Sequence, residues 1–260
     1  MNLQNILNEL EKVDGEVVDR LAHVSRRHMF SAFAKKAMAA ASPVVLTAAI
    51  GQAYGQSTSL PGPVREVLNF ALALENLEAE FYNTGLASGS LVPAMYREAF
   101  MQIAKHENAH VALLKSVLGS AAEAKPNFDF TAKGTFPDVF TNFKTFTAVA
   151  QAFEDTGVRA YKGQAGKLKP YGAYLEVALQ IHSVEARHAA RLRMINMQKG
   201  WITGSDGFPP AVYAGEGVTT QLGIDVAALP GSSAMIASEA FDEPLTQDQV
   251  LAIALQFVKY

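Results

Sequence analysis

The chain has 260 residues, of which 49% are hydrophobic and 18% charged, so it can bury one sizeable core. Its 22 Lys and Arg against 25 Asp and Glu give a formal net charge of -3, without the basic excess that binding to a phosphate backbone requires. The sequence contains no cysteine, which excludes disulfides, thiolate nucleophiles and iron–sulfur clusters. Nucleic acid is therefore not an expected partner, and any metal ion must bind through Asp, Glu and His.

Residues 1–57 form the first of three zones that differ in composition. In residues 1–24, apolar residues recur every three or four positions among five acids, which predicts a short amphipathic helix. Residues 25–57 contain no acid, and an uncharged, Ala-rich run at residues 37–51 leads to the small-residue sequence Ala53-Tyr54-Gly55. The basic residues that precede this run are Arg26, Arg27, Lys35 and Lys36.

This order of basic, apolar and small residues is typical of an export signal. The sequence Ser25-Arg26-Arg27-His28-Met29-Phe30 resembles the twin-arginine motif of bacterial signals that export folded proteins, with the Phe one place late. The apolar run of 15 residues is shorter than the ~20 that a spanning helix needs, so a permanent anchor is not expected. We therefore expect export to the periplasm by the twin-arginine route. The alternative is a buried Ala-rich helix in a cytoplasmic protein with an uncleaved N-terminus.

The second zone, about residues 62–200, has a helical hydrophobic period throughout and divides into four segments. The pattern predicts helices at residues 64 to about 84, about 93 to 118, 138 to about 162, and about 171 to 198. Each apolar stripe includes a glutamate. A buried carboxylate costs several kcal/mol unless it is paired or bound to a cation, so four of them indicate a shared purpose. These residues are Glu75, Glu107, Glu154 and Glu185.

The spacing of these acids is almost repeated, as if the two halves of the zone were copies. Glu75 and Glu107 are 32 residues apart, and Glu154 and Glu185 are 31 apart. In each half a Tyr follows the first Glu by seven positions, and the second Glu begins a Glu-x-x-His motif. The residues so placed are Tyr82 and Tyr161, and His110 and His188.

Four Glu and two His are the set with which a helix bundle holds two cations, because residues three apart on a helix project from the same face. Carboxylate-rich ligation with one imidazole per ion suits iron or manganese better than zinc. One Glu-x-x-His motif is weak support for a metal site, since it is common by chance in helices. Two such motifs, each preceded at a matched distance by an inward-facing Glu, are a strong signal.

At these positions the chain resembles the ferritin-like family, particularly bacterial ferritin-like domain proteins and, more distantly, bacterioferritin, rubrerythrin and manganese catalase. The resemblance covers about residues 62–200. It implies an all-α fold, a four-helix bundle with a long crossover between helices 2 and 3, at residues 120–137. The sequences that carry it are Leu74-Glu75-Asn76-Leu77-Glu78-Ala79-Glu80-Phe81-Tyr82, His106-Glu107-Asn108-Ala109-His110, Phe153-Glu154 and Val184-Glu185-Ala186-Arg187-His188.

Carried over by position, the resemblance implies two metal ions, with iron favoured and manganese the alternative. It implies that Glu75 and Glu154 are terminal ligands, that Glu107 and Glu185 are bridges, and that His110 and His188 are the imidazole ligands. No catalytic residue separate from these ligands is expected.

Three further residues are candidates for contact with the ligands. Glu78, three positions after Glu75, is an alternative ligand, although we favour Glu75. Tyr82 and Tyr161 are expected to be core aromatics that hydrogen-bond to ligands rather than radical sites. His106 and His182 fall off the apolar stripes, which favours a solvated surface position for both.

The third zone, residues 201–260, is rich in Gly, Pro, Ser and Thr, and only residues 247–260 are predicted to be helical. Thr246 and Gln249 fit a capping box at the start of that helix. We expect this loop-rich extension to pack against the bundle or a neighbouring subunit. A homo-oligomer is left open, but long extensions at both ends disfavour a close-packed hollow cage.

Three functions are compatible with this site. The leading hypothesis is a di-iron centre that oxidises Fe(II) with dioxygen or peroxide. The alternatives are a structural or stress-related binding module stabilised by metal, and manganese-dependent peroxide dismutation. The chain has no Gly-rich phosphate loop after a strand and no Ser-His-Asp pattern, so neither nucleotide-dependent nor triad chemistry is expected.

Overall fold

The computed structural model describes residues 60–205 and 207–259. Four long helices dominate this part of the chain. They are α1 (Gly62–Ala87), α2 (Ala94–Leu118), α3 (Phe143–Leu168) and α4 (Gly172–Ile195). The predicted N-terminal helix and export segment lie outside the described residues. None of the helices that the structure describes is both long and apolar enough to cross a bilayer.

The helices begin and end where local chemistry favours a boundary. Pro61 precedes α1, and the first turn of that helix contains a proline, which has no amide hydrogen to leave unpaired. Gly119 follows α2 with a φ of 54°, a left-handed conformation that favours glycine. The third helix was predicted to start at residue 138, which is wrong. The side chain of Asn142 accepts a hydrogen bond from the Lys144 amide and caps α3, so the helix starts at Phe143.

The helices form two pairs, as the predicted bundle requires. Helix α1 packs against α2, α3 against α4, and the pairs meet through α1 and α3. Short connections join α1 to α2 and α3 to α4. The long crossover between α2 and α3 begins with a 3-10 turn, Gly119–Ala121. This arrangement confirms the predicted all-α bundle with its crossover between helices 2 and 3.

An aromatic cluster fills the core beside the crossover. The ring of Phe81 stacks on that of Phe146, with centroids 4.8 Å apart, and meets the edge of Phe153 at 5.1 Å. The crossover adds Phe130, whose centroid is 5.3 Å from that of Phe81. Large buried rings contribute much of the apolar area that holds such a core together.

The C-terminal extension contains more regular structure than the sequence predicted. It forms a two-stranded antiparallel ribbon of β1 (Thr220–Gln221) and β2 (Ile224–Asp225), and the helices α5 (Ala234–Ala240) and α6 (Gln247–Ala254). The predicted capping box of Thr246 and Gln249 is present at the start of α6. That helix ends earlier than predicted and continues as a 3-10 turn, Leu255–Phe257. Helix α6 packs against α3, with Val250 and Ile253 buried.

Candidate metal centre

The structure brings all six predicted ligand residues together at the middle of the bundle. Each of the four helices contributes at least one, because the glutamates occupy the inward stripes that the sequence pattern indicated. The carboxylates of Glu75, Glu107, Glu154 and Glu185 are fully buried. His188 is buried as well, and the side chain of His110 is 12% exposed.

Three carboxylates converge on one nitrogen of His110. Its Nδ1 lies 3.1 Å from Glu75 Oε2, 3.1 Å from Glu107 Oε2 and 3.2 Å from Glu185 Oε1. An imidazole nitrogen carries at most one hydrogen, so it cannot make three good hydrogen bonds at once. Four donor atoms at such distances around one point form a pocket suited to a cation.

A second group of the same kind surrounds His188. Its Nδ1 lies 2.8 Å from Glu107 Oε1, 3.2 Å from Glu154 Oε2 and 3.9 Å from Glu185 Oε2. Within each group, one donor atom from every residue lies within 4.8 Å of the others. Glu107 and Glu185 belong to both groups, so the two pockets share a pair of carboxylates.

The residues that the structure describes do not satisfy all the oxygens of the shared carboxylates. Among these residues, Glu107 Oε1 and both oxygens of Glu185 are buried and have no hydrogen-bond partner. The short approach of His188 to Glu107 Oε1 is therefore a charge contact whose direction does not make a hydrogen bond. Buried oxygens without a partner cost about 1–3 kcal/mol each, and a bound cation removes that cost. The donor set thus fits two metal ions.

Electrostatics in the site also favour added positive charge. Burial and the neighbouring Glu185 raise the pKa of Glu107 to about 7, and burial raises the pKa of Glu185 well above its usual range. Burial opposes protonation of His188, but the carboxylates of Glu154 and Glu107 outweigh it and raise the pKa of this imidazole to about 11. The glutamates therefore stabilise positive charge inside the bundle, and bound divalent cations would supply such charge.

Two tyrosines connect the helix pairs through the outer carboxylates. Tyr82 of α1 donates a hydrogen bond of 2.5 Å to Glu154 Oε1 of α3, and Tyr161 of α3 donates to Glu75 Oε1 of α1. Burial raises the pKa of both phenols, which keeps them protonated as donors. The reciprocal pattern follows from the repeat in the sequence, in which each Tyr lies seven residues after a Glu.

The family model for the Ferritin-like domain matches residues 64–198, which span α1 to α4 and all six candidate ligands. The chain belongs to the ferritin-like domain family. No curated protein matches this chain. The arrangement of the helices and the family match therefore agree on a ferritin-like bundle.

Glu78 lies in the ferritin-like core but belongs to neither donor group. It is 3% exposed, and burial raises its pKa well above the usual range. Its Oε1 faces Gly157, where an added Cβ would lie 3.2 Å away, and the same Cβ would lie 3.5 Å from Glu185 Oε2. The geometry thus favours Glu75 over Glu78 beside His110.

His106 has a role that the sequence interpretation missed. Its Nδ1 is 2.9 Å from His188 Nε2, the rings stack at 5.2 Å, and Gln102 Nε2 is 2.6 Å from His106 Nε2. This contact leaves Nδ1 of His188 facing the carboxylates. The expected solvated position is therefore wrong for His106, and His182 too is half-buried. The spacing of four residues from His106 to His110 was the available signal, because it puts both on one side of α2.

Proposed function

We propose that this chain is a dinuclear metal carboxylate protein, with iron the favoured metal, that oxidises Fe(II) with dioxygen or peroxide. One observation supports this most directly. Two pockets of one imidazole and three carboxylates share Glu107 and Glu185, and three oxygens of the shared pair have no hydrogen-bond partner among the residues that the structure describes. A purely structural core would not leave the shared acids unsatisfied in this way.

In this proposal each ion has one outer carboxylate and one imidazole of its own. Glu75 and His110 would hold one ion, Glu154 and His188 the other, and Glu107 with Glu185 would contact both. Bound iron would supply one-electron chemistry between its ferrous and ferric states. Oxygen donors with a single imidazole per ion suit that metal, and manganese is the alternative that the same donors accept.

The side chains around the site would stabilise the extra positive charge that an iron ion gains when it is oxidised. Four carboxylates around two ions provide the negative charge that a more highly charged ion requires. Tyr82 and Tyr161 fix the outer carboxylates Glu154 and Glu75 by donating to the oxygen that faces away from the imidazole. Because the carboxylates are buried, little water competes for them, and each charge interaction is stronger than at the surface.

Metal loading tests the proposal. The full chain, stripped of metal, is titrated with Fe(II) without oxygen and then exposed to air or to hydrogen peroxide. We expect two Fe(II) per chain and the growth of ferric absorbance on oxidation. Glu107→Ala removes one shared carboxylate and should abolish both. Glu98→Ala, which removes an exposed acid of the same helix α2, is the matched control and should behave as wild type.

The other outcomes separate the alternatives. Failure to take up metal would defeat the proposal. Stoichiometric metal that is never oxidised would support a structural role instead. Manganese found by elemental analysis of protein from its own host, together with peroxide consumption, would support dismutation.

A further inference from the structure

An apolar cavity of about 260 Å³ lies between α3 and the C-terminal extension. Its lining is almost entirely hydrocarbon, and Lys144 and Thr145 are the polar residues among those that border it. Lys144, Ala148 and Phe208 are exposed, so the cavity opens to solvent on that side. Its walls include Ala148, Ala152, Phe153, Phe208, Ile253 and Phe257.

A second, much smaller cavity shares two of its lining residues with the first. It has about 10 Å³, close to the room that one water-sized molecule needs. Phe153 and Ile253 line both cavities, so these two side chains form the wall between them. Glu78 and Gly157 also border the small cavity.

Gly157 lines this inner cavity and also lies next to a carboxylate of the candidate centre. With no side chain on Gly157, Glu78 Oε1 and Glu185 Oε2 both lie close to the α3 backbone. Glu185 is one of the two shared carboxylates, and Glu154 directly follows the wall residue Phe153. The two cavities, with Phe153 and Ile253 between them, and Gly157 therefore lie in series between the surface and the carboxylate of Glu185.

We propose that these two cavities are the path by which dioxygen reaches the metal centre. The inference rests on the proposed function and narrows it, because it selects dioxygen over peroxide as the oxidant. Dioxygen is small and apolar, so a hydrocarbon-lined cavity attracts it relative to water. Fe(II) and hydrogen peroxide would lose hydration or hydrogen bonds in the same cavity without replacement. Rotamer motion of Ile253 and Phe153 opens the wall between the cavities.

Xenon and one cavity-filling variant test this path. Xenon enters apolar cavities and reports on them without any metal. In the metal-free full chain we expect xenon pressure to shift the methyl NMR signals of Val149 and Ile253 in a saturable manner. Ala148→Phe places a ring at the exposed end of the larger cavity and should abolish those shifts. Ala252→Phe is the matched control, because Ala252 is exposed on α6 and lines neither cavity.

Oxidation of loaded protein gives the second measurement. With dioxygen, Ala148→Phe should slow iron oxidation at least fivefold, whereas with hydrogen peroxide its rate should equal that of wild type. Both rates should be unchanged in Ala252→Phe. Equal slowing with both oxidants, an unchanged rate with dioxygen, or no xenon shifts in wild type would overturn the path. Wild-type protein that oxidises iron with neither oxidant would instead refute the proposed function.

Discussion

Gly157 determines how closely two buried carboxylates approach the backbone of α3. A glycine inside a helix costs ~1 kcal/mol relative to alanine, so its place beside Glu78 and Glu185 needs a compensating reason. The structure supplies one. An added Cβ would lie 3.2 Å from Glu78 Oε1, closer than ordinary van der Waals contact, and both acids are held in a packed core.

Gly157→Ala should therefore weaken metal binding while leaving the fold intact. The new methyl group displaces Glu78 and, through it, Glu185, one of the two shared carboxylates. We expect the dissociation constant for Fe(II), measured by anaerobic calorimetric titration, to rise about tenfold or more, the size of effect seen when groups behind a ligand are moved.

Gly166→Ala is the matched control for this variant. Gly166 lies in the same helix, and an added Cβ there would meet no atom of the described residues within 4 Å. This change should leave metal affinity unaltered and raise the free energy of unfolding by up to about 1 kcal/mol. Equal affinities for Gly157→Ala and wild type would show that the carboxylates move aside without consequence.

Residue-level prediction from sequence worked for groups on the apolar stripes and failed beside them. Glu107 and His188 could be found because a polar group at an apolar position is conspicuous. The four-residue spacing to His110 places His106 on the inward side of α2, but its partner His188 is 82 residues away in sequence, so the contact itself could not be predicted. The contacts of Arg159, a buried residue of α3, could not be predicted from the helical pattern either, because its partners belong to the C-terminal extension.

At the scale of elements, Arg159 anchors the C-terminal extension to α3. Its fully buried guanidinium donates to the carbonyl oxygens of Val212, Ala214 and Glu243, at 2.6 Å for Ala214 and 2.7 Å for Glu243. It also lies 2.7 Å from the carboxylate of Glu216, which is buried too. One arginine thus holds four residues of the extension against the bundle.

Glu216 should make this anchor sensitive to pH. One of its oxygens contacts Arg159 and the Glu243 amide, but Oε2 is buried and has no hydrogen-bond partner in the described part of the chain. Burial raises the pKa of Glu216 to about 7 from an ordinary 4.5, in spite of the arginine. Between these values the folded protein binds more protons at this residue than the unfolded chain does. Its contribution to stability is therefore complete below pH 4.5 and declines as the pH rises through 7.

Glu216→Gln tests that prediction by subtraction. The free energy of unfolding is measured by urea denaturation with a chelator present, at intervals from pH 4 to 8. Other titrating groups are common to both proteins and cancel in the difference. We expect the value for wild type minus that for the variant to fall between about pH 4.5 and 7 and to level off above. A difference that rises with pH would show that Arg159 outweighs burial.

The sequence predicted long elements well and short ones poorly. A helix of six or seven turns repeats its apolar stripe often enough to be identified, and α1 to α4 were all expected. Helix α5 has seven residues and the β1–β2 ribbon two residues per strand, too few for a period to emerge. The start of α3 depends on the cap at Asn142 rather than on periodicity, which explains the error there.

For the whole molecule, the candidate centre lowers the stability of the metal-free fold and makes metal binding possible. Four buried carboxylates from four different helices repel one another, and the bundle has to hold them in place. Cations that bind between them would join all four helices. A ligand that binds only the folded state adds stability according to its excess over the dissociation constant, about 2.7 kcal/mol at a hundredfold excess.

Glu107→Gln separates the two contributions, because it keeps the volume of the side chain and removes one negative charge. Without metal, we expect this variant to unfold at the same urea concentration as wild type or a higher one, since one buried charge is gone. With free Fe(II) held anaerobically at a hundred times the dissociation constant, wild type should gain about 2.7 kcal/mol for each ion bound and the variant much less, because a shared donor is lost. Loss of stability in the metal-free variant would mean that Glu107 serves the fold itself, and that charge repulsion is not what the metal relieves.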